Sequence, residues 1–285
     1  MGLLALAGAT VKTNTLYGMI EKTYQGSRMP ALFVGHGSPM YAIEENEFVR
    51  TWRELGAELP KPRAILAVSA HWETRGTQVT GMLKPPTIHD FGGFPQALFE
   101  VQYPAPGSPE LANETIQTVK GSPITTDERW GLDHGTWSVL RRIYPNADIP
   151  IVQLSLDYHK TPQQHYDLAK ELASLREKGI LIVGSGNIVH NLRQVSWDKP
   201  DDEEYGHDWA IEANDLVKKL ILENDHQSLI NYQSLGRAVQ LAAPTPDHFV
   251  PLLYALALKQ KGEEIAFFND KAVMGSLTMT SLKIG

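Results

Sequence analysis

Two short apolar runs of the sequence each lead directly into a histidine, and both have the residue types of buried strands. The first run covers 31–35 and precedes His36, and the second covers 64–70 and precedes His71. Strands buried on both faces read as continuous apolar runs, and in an open α/β sheet ligands bind beyond the carboxyl ends of such strands. The two runs therefore predict an α/β sheet with a site at one edge, and paired imidazoles at that edge indicate a metal.

Helical patterns and apolar runs alternate along the rest of the chain. Apolar residues recur at helical spacing between Phe48 and Leu55. Further helices are predicted from Ser108 and over 166–178, 207–223 and 247–259, and further strands over 149–156, 180–183, 265–268 and 277–284. This alternation predicts a single α/β domain in which helices flank a mixed or mainly parallel central sheet.

The 285 residues contain no linker or internal repeat that would divide the chain. We therefore predict one catalytic domain over 29–285, preceded by an N-terminal extension over 1–28. The apolar stretch 3–9 has two interpretations, the remnant of a truncated export signal or a surface helix or tail. The first would mean periplasmic export, and the second a cytoplasmic protein.

Composition narrows the classes of partner and of metal ligand. The formal net charge of -7 argues against a nucleic-acid surface. The absence of cysteine excludes thiolate ligands and cysteine nucleophiles, so that His, Asp or Glu must hold any metal. No segment approaches the roughly 20 apolar residues of a membrane-spanning helix. Small molecules are therefore the expected partners.

The segment 74–107 interrupts the alternation and is rich in proline, glycine and aromatic residues. An irregular stretch of this length inside a compact domain is usually a functional loop. We expect it to form a wall of the cleft, with His89 or Phe91 facing a flat, apolar substrate. The alternative is a packed surface loop with a small core of its own.

The ten histidines fall into two groups by their sequence surroundings. Four lie among polar residues and are expected to be solvated, namely His159, His165, His207 and His226. The other six lie at strand or helix junctions or in the aromatic loop, namely His36, His71, His89, His134, His190 and His248. Any one of the six is more often a structural histidine, but side chains from such junctions converge in α/β folds.

Six motifs in order resemble the class III extradiol ring-cleavage dioxygenases, specifically their 4,5-DOPA dioxygenase branch. The resemblance runs from about Met29 to the C-terminus. The motifs are Gly-His-Gly-Ser-Pro at 35–39, Ser-Ala-His-Trp at 69–72, Pro-Pro-Thr-Ile-His-Asp-Phe-Gly-Gly-Phe-Pro at 85–95, Asp-His-Gly-Thr-Trp at 133–137, Gly-Asn-Ile-Val-His-Asn-Leu at 186–192 and Thr-Pro-Asp-His-Phe at 245–249.

The resemblance implies a non-haem Fe(II) enzyme that opens a catechol ring beside its two hydroxyls with O2. His36 and His71 match the paired metal ligands of the family. Other members use a carboxylate as the third ligand, whereas this branch has a histidine, here His248, with Asp247 as a weaker candidate. Because three histidines also make a catalytic zinc site, Zn(II) is an alternative metal.

The resemblance also implies roles for residues around the metal. His190 is the expected acid/base residue, because imidazole titrates near neutrality. It is also a candidate fourth ligand of the metal. His134 would hydrogen-bond O2 or the substrate, and Asn187 would contribute to substrate binding, with Ser185 as a second supporting candidate. Neither the particular catechol nor the oligomeric state follows from these motifs.

Two other functions use the same residues or the same fold. A zinc-dependent hydrolase would use the three histidines to activate a water molecule. A non-catalytic binding protein would be similar to the Memo proteins, which share the fold. The full ligand set and the neighbouring acid/base histidines favour the dioxygenase.

Overall fold

The apolar runs form the centre of an eight-stranded sheet in the computed structural model, which describes residues 28–285. In sheet order the strands are β4 (Ile124–Asp127), β3 (Thr77–Thr80), β5 (Ile151–Asp157), β2 (Ala64–Thr74), β6 (Ile180–Gly186), β1 (Ala31–Gly35), β10 (Ser281–Ile284) and β7 (Ile265–Phe268). Two short strands, β8 (Ala272–Val273) and β9 (Leu277–Thr278), pair separately.

The centre of the sheet is parallel and its margins contain antiparallel pairs. Strand β2 pairs in parallel with β5 and β6, and β6 pairs in parallel with β1. At one side β10 runs antiparallel to β1 and to β7, and at the other β3 is antiparallel to β5 and parallel to β4. The predicted class, an α/β domain with a mixed or mainly parallel sheet, is confirmed.

Helices cover both faces of this sheet. They are α1 (Glu47–Glu58), α2 (Gln96–Phe99), α3 (Pro109–Thr118), α4 (His134–Ile143), α5 (Pro162–Glu171), α6 (Ala173–Glu177), α7 (Asp208–Leu222), α8 (His226–Ile230), α9 (Arg237–Ala242) and α10 (Val250–Ala257), with 3-10 turns at Pro39–Ala42, Leu192–Gln194 and Tyr232–Ser234. Between residues 28 and 285, no helix has both the length and the apolar character needed to cross a membrane.

Strand β1 shows why the central runs are apolar throughout. Ala31 and Phe33 pack into the core beneath α7 and α10, whereas Leu32 and Val34 pack into the opposite core with α1 and α4. Successive side chains of a strand point to opposite faces, so a strand with helices on both sides needs apolar residues at every position.

Two predicted elements differ in extent from those observed. The segment 74–107 is not irregular throughout, because β2 continues to Thr74 and the short strand β3 follows. The helix predicted over 166–178 begins earlier, after the capping residue Thr161, and consists of α5 and α6. Residues 1–27 lie outside the described part of the chain, so the extension and both interpretations of 3–9 stay predictions.

The expectation that four histidines are solvated was wrong except for His159, which is exposed. His165 is only 3% exposed, and its ring nitrogens contact the hydroxyl of Tyr254 at 3.0 Å and the carbonyl of Asp157 at 3.2 Å. The rings of His207 and His226 are partly buried and hydrogen-bonded. Polar sequence neighbours did not reveal these tertiary partners.

Candidate active site

Three of the predicted metal ligands meet at the carboxyl edge of the central strands. His36 follows β1, His71 lies near the end of β2, and His248 directly precedes the turn into α10. Their ring centroids are 4.9 to 5.2 Å apart, and one nitrogen of each ring lies within 4.8 Å of the others. The structure therefore brings together the three histidines that the motifs predicted as ligands.

An irregularity in β2 gives His71 its position. Val68 pairs with Leu154 and Glu73 with Leu156, so β2 advances five residues while β5 advances two. Such bulges redirect side chains and are common beside active sites. The hydroxyl of Ser69 stabilises the displaced segment by accepting the backbone N–H of His71 at 3.2 Å.

The start of α4 is fixed by a buried carboxylate next to this bulge. Asp133 caps the helix by accepting the N–H of Thr136 at 3.1 Å, and Gln153 and Ser69 donate to its two oxygens at 2.7 Å. A methyl group on Gly135 would lie 2.9 Å from the His71 ring. Glycine therefore lets His134, the first residue of α4, approach the bulge.

Glycine at position 186 also allows β6 to lie close to the backbone of His248. A Cβ on Gly186, the last residue of β6, would lie 2.2 Å from the His248 carbonyl oxygen. That same oxygen accepts the N–H of Asn187 at 2.9 Å. The ring of His248 donates from Nδ1 to the Asp247 carboxylate, and its buried Nε2 has no hydrogen-bond partner.

The hydrogen bonds of His36 and His248 assign their tautomers. Ser185 donates its hydroxyl hydrogen to the carbonyl of Gly135 at 2.5 Å, so its oxygen accepts from Nδ1 of His36 at 3.1 Å. His248 is likewise protonated at Nδ1, because Asp247 accepts there. Both rings consequently present the lone pair of Nε2 to the centre of the cluster.

The geometry and the chemistry of these donors fit a divalent transition metal. The Nε2 atoms of His36 and His71 are 3.1 Å apart. Two nitrogens that each lie about 2.1 Å from one ion are about 3.0 to 3.4 Å apart at ordinary coordination angles. The observed spacing suits two ligands of one ion, and the unpartnered Nε2 of His248 completes the set.

Burial keeps the imidazoles neutral, as metal ligands must be. It lowers the pKa of His36 well below the usual histidine value, and the neighbouring His71 adds to that effect. Burial, reinforced by His134, lowers the pKa of His71 in the same direction. Neutral imidazole is the form that donates a lone pair to a metal.

The two predicted acid/base residues lie against these ligands. The ring of His190 stacks on that of His248 with centroids 3.5 Å apart and planes 4° from parallel. Burial and the adjacent His248 lower the pKa of His190 to about 2. The ring of His134 lies 3.9 Å from that of His71.

The predicted substrate residues differ in their placement. Phe91 packs edge-on toward His134 at 5.6 Å, and Phe99 lies behind it at 5.1 Å. His89 contacts the carbonyl of Val101 at 3.0 Å and so lies within the aromatic loop. Asn187 is buried and donates to the carbonyl of Thr278 at 2.8 Å, while its amide oxygen has no partner.

Sequence analysis missed the carboxylate of Asp90 as part of the site. It accepts from the ring and from the backbone N–H of His134, at 3.0 and 2.9 Å. Although burial opposes its charge, these bonds lower the pKa of Asp90 below the usual aspartate value. The only signal was its place beside His89 in the motif at 85–95.

Known proteins similar to this chain identify its family. Residues 29–276 match the family described as the catalytic LigB subunit of aromatic ring-opening dioxygenase. The 4,5-DOPA dioxygenase extradiol of Escherichia coli K12 is 49% identical over 263 residues, which cover 91% of this chain and 96% of that protein. The protein of the same name from Beta vulgaris is 36% identical over 258 residues, covering 88% and 94%.

A solved structure shares the fold. The crystal structure of an uncharacterized protein from Escherichia coli K12 superposes with a TM-score of 0.78 and 43% sequence identity, covering 90% of this chain and all of that one. Of the functions considered from the sequence, these relatives confirm the dioxygenase. The chain belongs to the LigB family, and it is an extradiol dioxygenase that opens the ring of a catechol with O2.

Proposed function

We propose that the substrate is DOPA or a catechol with a similar side chain, and that Fe(II) bound by His36, His71 and His248 is the cofactor. The substrate class rests on the relatives from Escherichia coli and Beta vulgaris, both of which are named as 4,5-DOPA dioxygenases. The ligand set rests on one observation, the convergence of three inward-facing imidazoles with an unpartnered Nε2 on His248.

Iron is preferred to zinc because of the chemistry required. Bound Fe(II) would supply a redox centre through which electron density passes from the catechol ring to O2. Zinc has no redox chemistry, although the same three nitrogens would bind it. Zinc carried by a purified sample would therefore be compatible with the ligand set but inactive in ring opening.

The remaining histidines move protons. We assign His190 as the residue that would accept a proton from a catechol hydroxyl and return one as the ring opens. Its ring stacks on that of His248 with centroids 3.5 Å apart, which places it beside the proposed metal ligands. His134 would hydrogen-bond the substrate or O2, held in place by Asp90.

The aromatic loop would orient the ring of the substrate. Phe91 lies between the site histidine His134 and the rings of Phe94 and Phe99. The three phenylalanine rings form an apolar surface, and their edges can pack against the flat ring of a substrate. We also propose that Asn187 contacts the substrate through its amide oxygen, which has no hydrogen-bond partner among the described residues.

Anaerobic reconstitution tests this function. The protein is loaded with Fe(II) or Zn(II), mixed with DOPA, caffeate and protocatechuate, and then exposed to O2. We expect O2 uptake and yellow ring-opened products with the iron form alone, and with DOPA above the other two. The variant His248→Ala should lose bound iron and activity together. Hydrolytic activity of the zinc form without O2 uptake by the iron form would refute the proposal.

A further inference from the structure

One carboxylate, that of Asp90, faces two histidines of the site. Its Oδ2 lies 3.0 Å from Nδ1 of His134 and 3.4 Å from Nδ1 of His71, and its Oδ1 accepts the backbone N–H of His134 at 2.9 Å. The Asp90 side chain is only 15% exposed. The ring and the backbone of His134 therefore both hydrogen-bond to this carboxylate, and Nδ1 of His71 lies close to it.

This contact determines which ring nitrogen of each histidine is available inside the site. A carboxylate beside Nδ1 holds the proton there and leaves the lone pair on Nε2. For His71, Nε2 is the atom that faces His36 at 3.1 Å. Asp90 thus lies beside Nδ1 of His71, the position that Ser185 occupies beside His36 and Asp247 beside His248.

Asp90 also connects the aromatic loop to the ligands. It lies between His89 and Phe91 in the sequence, and the ring of Phe91 packs on that of His134. Any displacement of Asp90 would therefore change the position of the Phe91 ring relative to the proposed metal ligands.

We propose that Asp90 is a positioning residue that orients His71 toward the metal and His134 toward the substrate through one shared carboxylate. The part of this inference that concerns His134 and the substrate rests on the proposed function. The same three groups have atoms within 4.8 Å of one another and could instead bind a second ion. The hydrogen bonds to the ring and backbone of His134 favour the positioning role.

The first test is metal binding by Asp90→Asn, which keeps the size of the side chain but loses the charge and one acceptor. Affinity for Co(II) and Fe(II) is measured anaerobically by competition with a chelator, together with the visible spectrum of the Co(II) form. We expect an affinity loss of about 10- to 100-fold, as for other residues that orient metal ligands, and shifted Co(II) bands.

The matched control is Asp225→Asn. Asp225 caps α8 by accepting the backbone N–H and the hydroxyl of Ser228, at 3.0 and 2.6 Å. It is therefore a hydrogen-bonded carboxylate outside the described site, and its variant should keep wild-type metal affinity and spectrum. If Asp90→Asn does the same, the proposal is wrong. A wild-type stoichiometry of two ions per chain that falls to one in Asp90→Asn would make Asp90 a ligand and also overturn it.

The second test separates the two histidines. With saturating iron and a catechol that the wild type cleaves, Asp90→Asn should lower kcat about 10- to 100-fold with a much smaller change in KM. In a His134→Gln background the further loss of kcat should shrink, whereas the loss of metal affinity should persist. Full additivity in kcat would contradict action through His134.

The two tests also distinguish this inference from the proposed function. If the wild type binds metal but cleaves no catechol, the function fails while the affinity and spectral measurements still decide the role of Asp90 toward His71.

Discussion

At the scale of single residues, the three histidines proposed as metal ligands share one feature: a second polar group lies beside Nδ1 of the ring. Ser185 contacts His36, Asp90 lies beside His71, and Asp247 accepts from His248. Such partners fix both the tautomer and the orientation of the ring before a metal binds. The rings of His36 and His248 are therefore oriented by hydrogen bonds that do not depend on an ion.

Replacement of His190 by glutamine distinguishes proton transfer from metal binding. Glutamine keeps a polar side chain but cannot titrate at this position. We expect His190→Gln to retain Fe(II) and to bind catechol, with kcat reduced about 100- to 10,000-fold, the usual contribution of a positioned acid or base. Metal analysis and steady-state kinetics measure both effects. Loss of iron would instead identify His190 as a fourth ligand, and unchanged turnover would remove it from the mechanism.

The sequence allowed prediction that three histidines converge, but not which polar group faces each ring. His36 follows β1, His71 lies near the end of β2 and His248 precedes α10, and each lies in a recognisable motif. Asp90 could not be found in this way, since a carboxylate beside a histidine in an irregular loop has no pattern that shows which ring it faces. His165 was misassigned for a related reason, because its partner Tyr254 is distant in sequence.

At the scale of elements, the contact between β6 and the segment before α10 determines the position of His248. The variant Gly186→Ala places a methyl group 2.2 Å from the backbone carbonyl of His248, so that one segment must move. We expect the free energy of unfolding to fall by about 1 to 3 kcal/mol, the usual cost of overpacking. Chemical denaturation and metal competition should show lower stability and weaker metal binding.

The control for this prediction is Gly92→Ala. Gly92 is exposed, and its methyl group would meet no atom within 4 Å. This variant should therefore show near wild-type stability and metal affinity. Equal losses in both variants would mean that the contact at Gly186 has no special role.

The long central strands were predictable, but the short marginal ones were not. Strands β1, β2, β5 and β6 are largely apolar and mostly buried because helices cover both of their faces. Strands β3 and β4 have four residues each and contain several threonines. What makes them strands is pairing with each other and with β5, a tertiary contact that local periodicity does not report.

At the scale of the whole molecule, the buried His165 makes stability depend on pH. Burial lowers its pKa to about 4, compared with 6.5 as the ordinary value. As the pH falls from 6.5 toward 4, the unfolded chain binds a proton at this residue and the folded protein does not. The free energy of unfolding should then fall by up to about 1.4 kcal/mol per pH unit from this group.

The measurement is denaturation at several pH values for the wild type and His165→Asn, both with the same metal loading. The variant should have a flatter profile between pH 6.5 and 4, and the difference isolates His165 from the other histidines. The exposed His159→Asn variant serves as control and should follow the wild-type profile. A wild-type slope in His165→Asn would contradict the assignment.

The pairing of β1 with β6 and β10 has a consequence for synthesis on the ribosome. β1 emerges early but finds its parallel partner only after Gly186 and its antiparallel partner only with the last residues of the chain. At about 5 to 20 residues per second, a chain of this length takes about 15 to 60 s to make. Throughout most of that time His36 and His71 are already present while His248 is still untranslated. The proposed set of metal ligands is therefore complete only near the end of translation, and loading of a metal there belongs to the last stage of the protein's biogenesis.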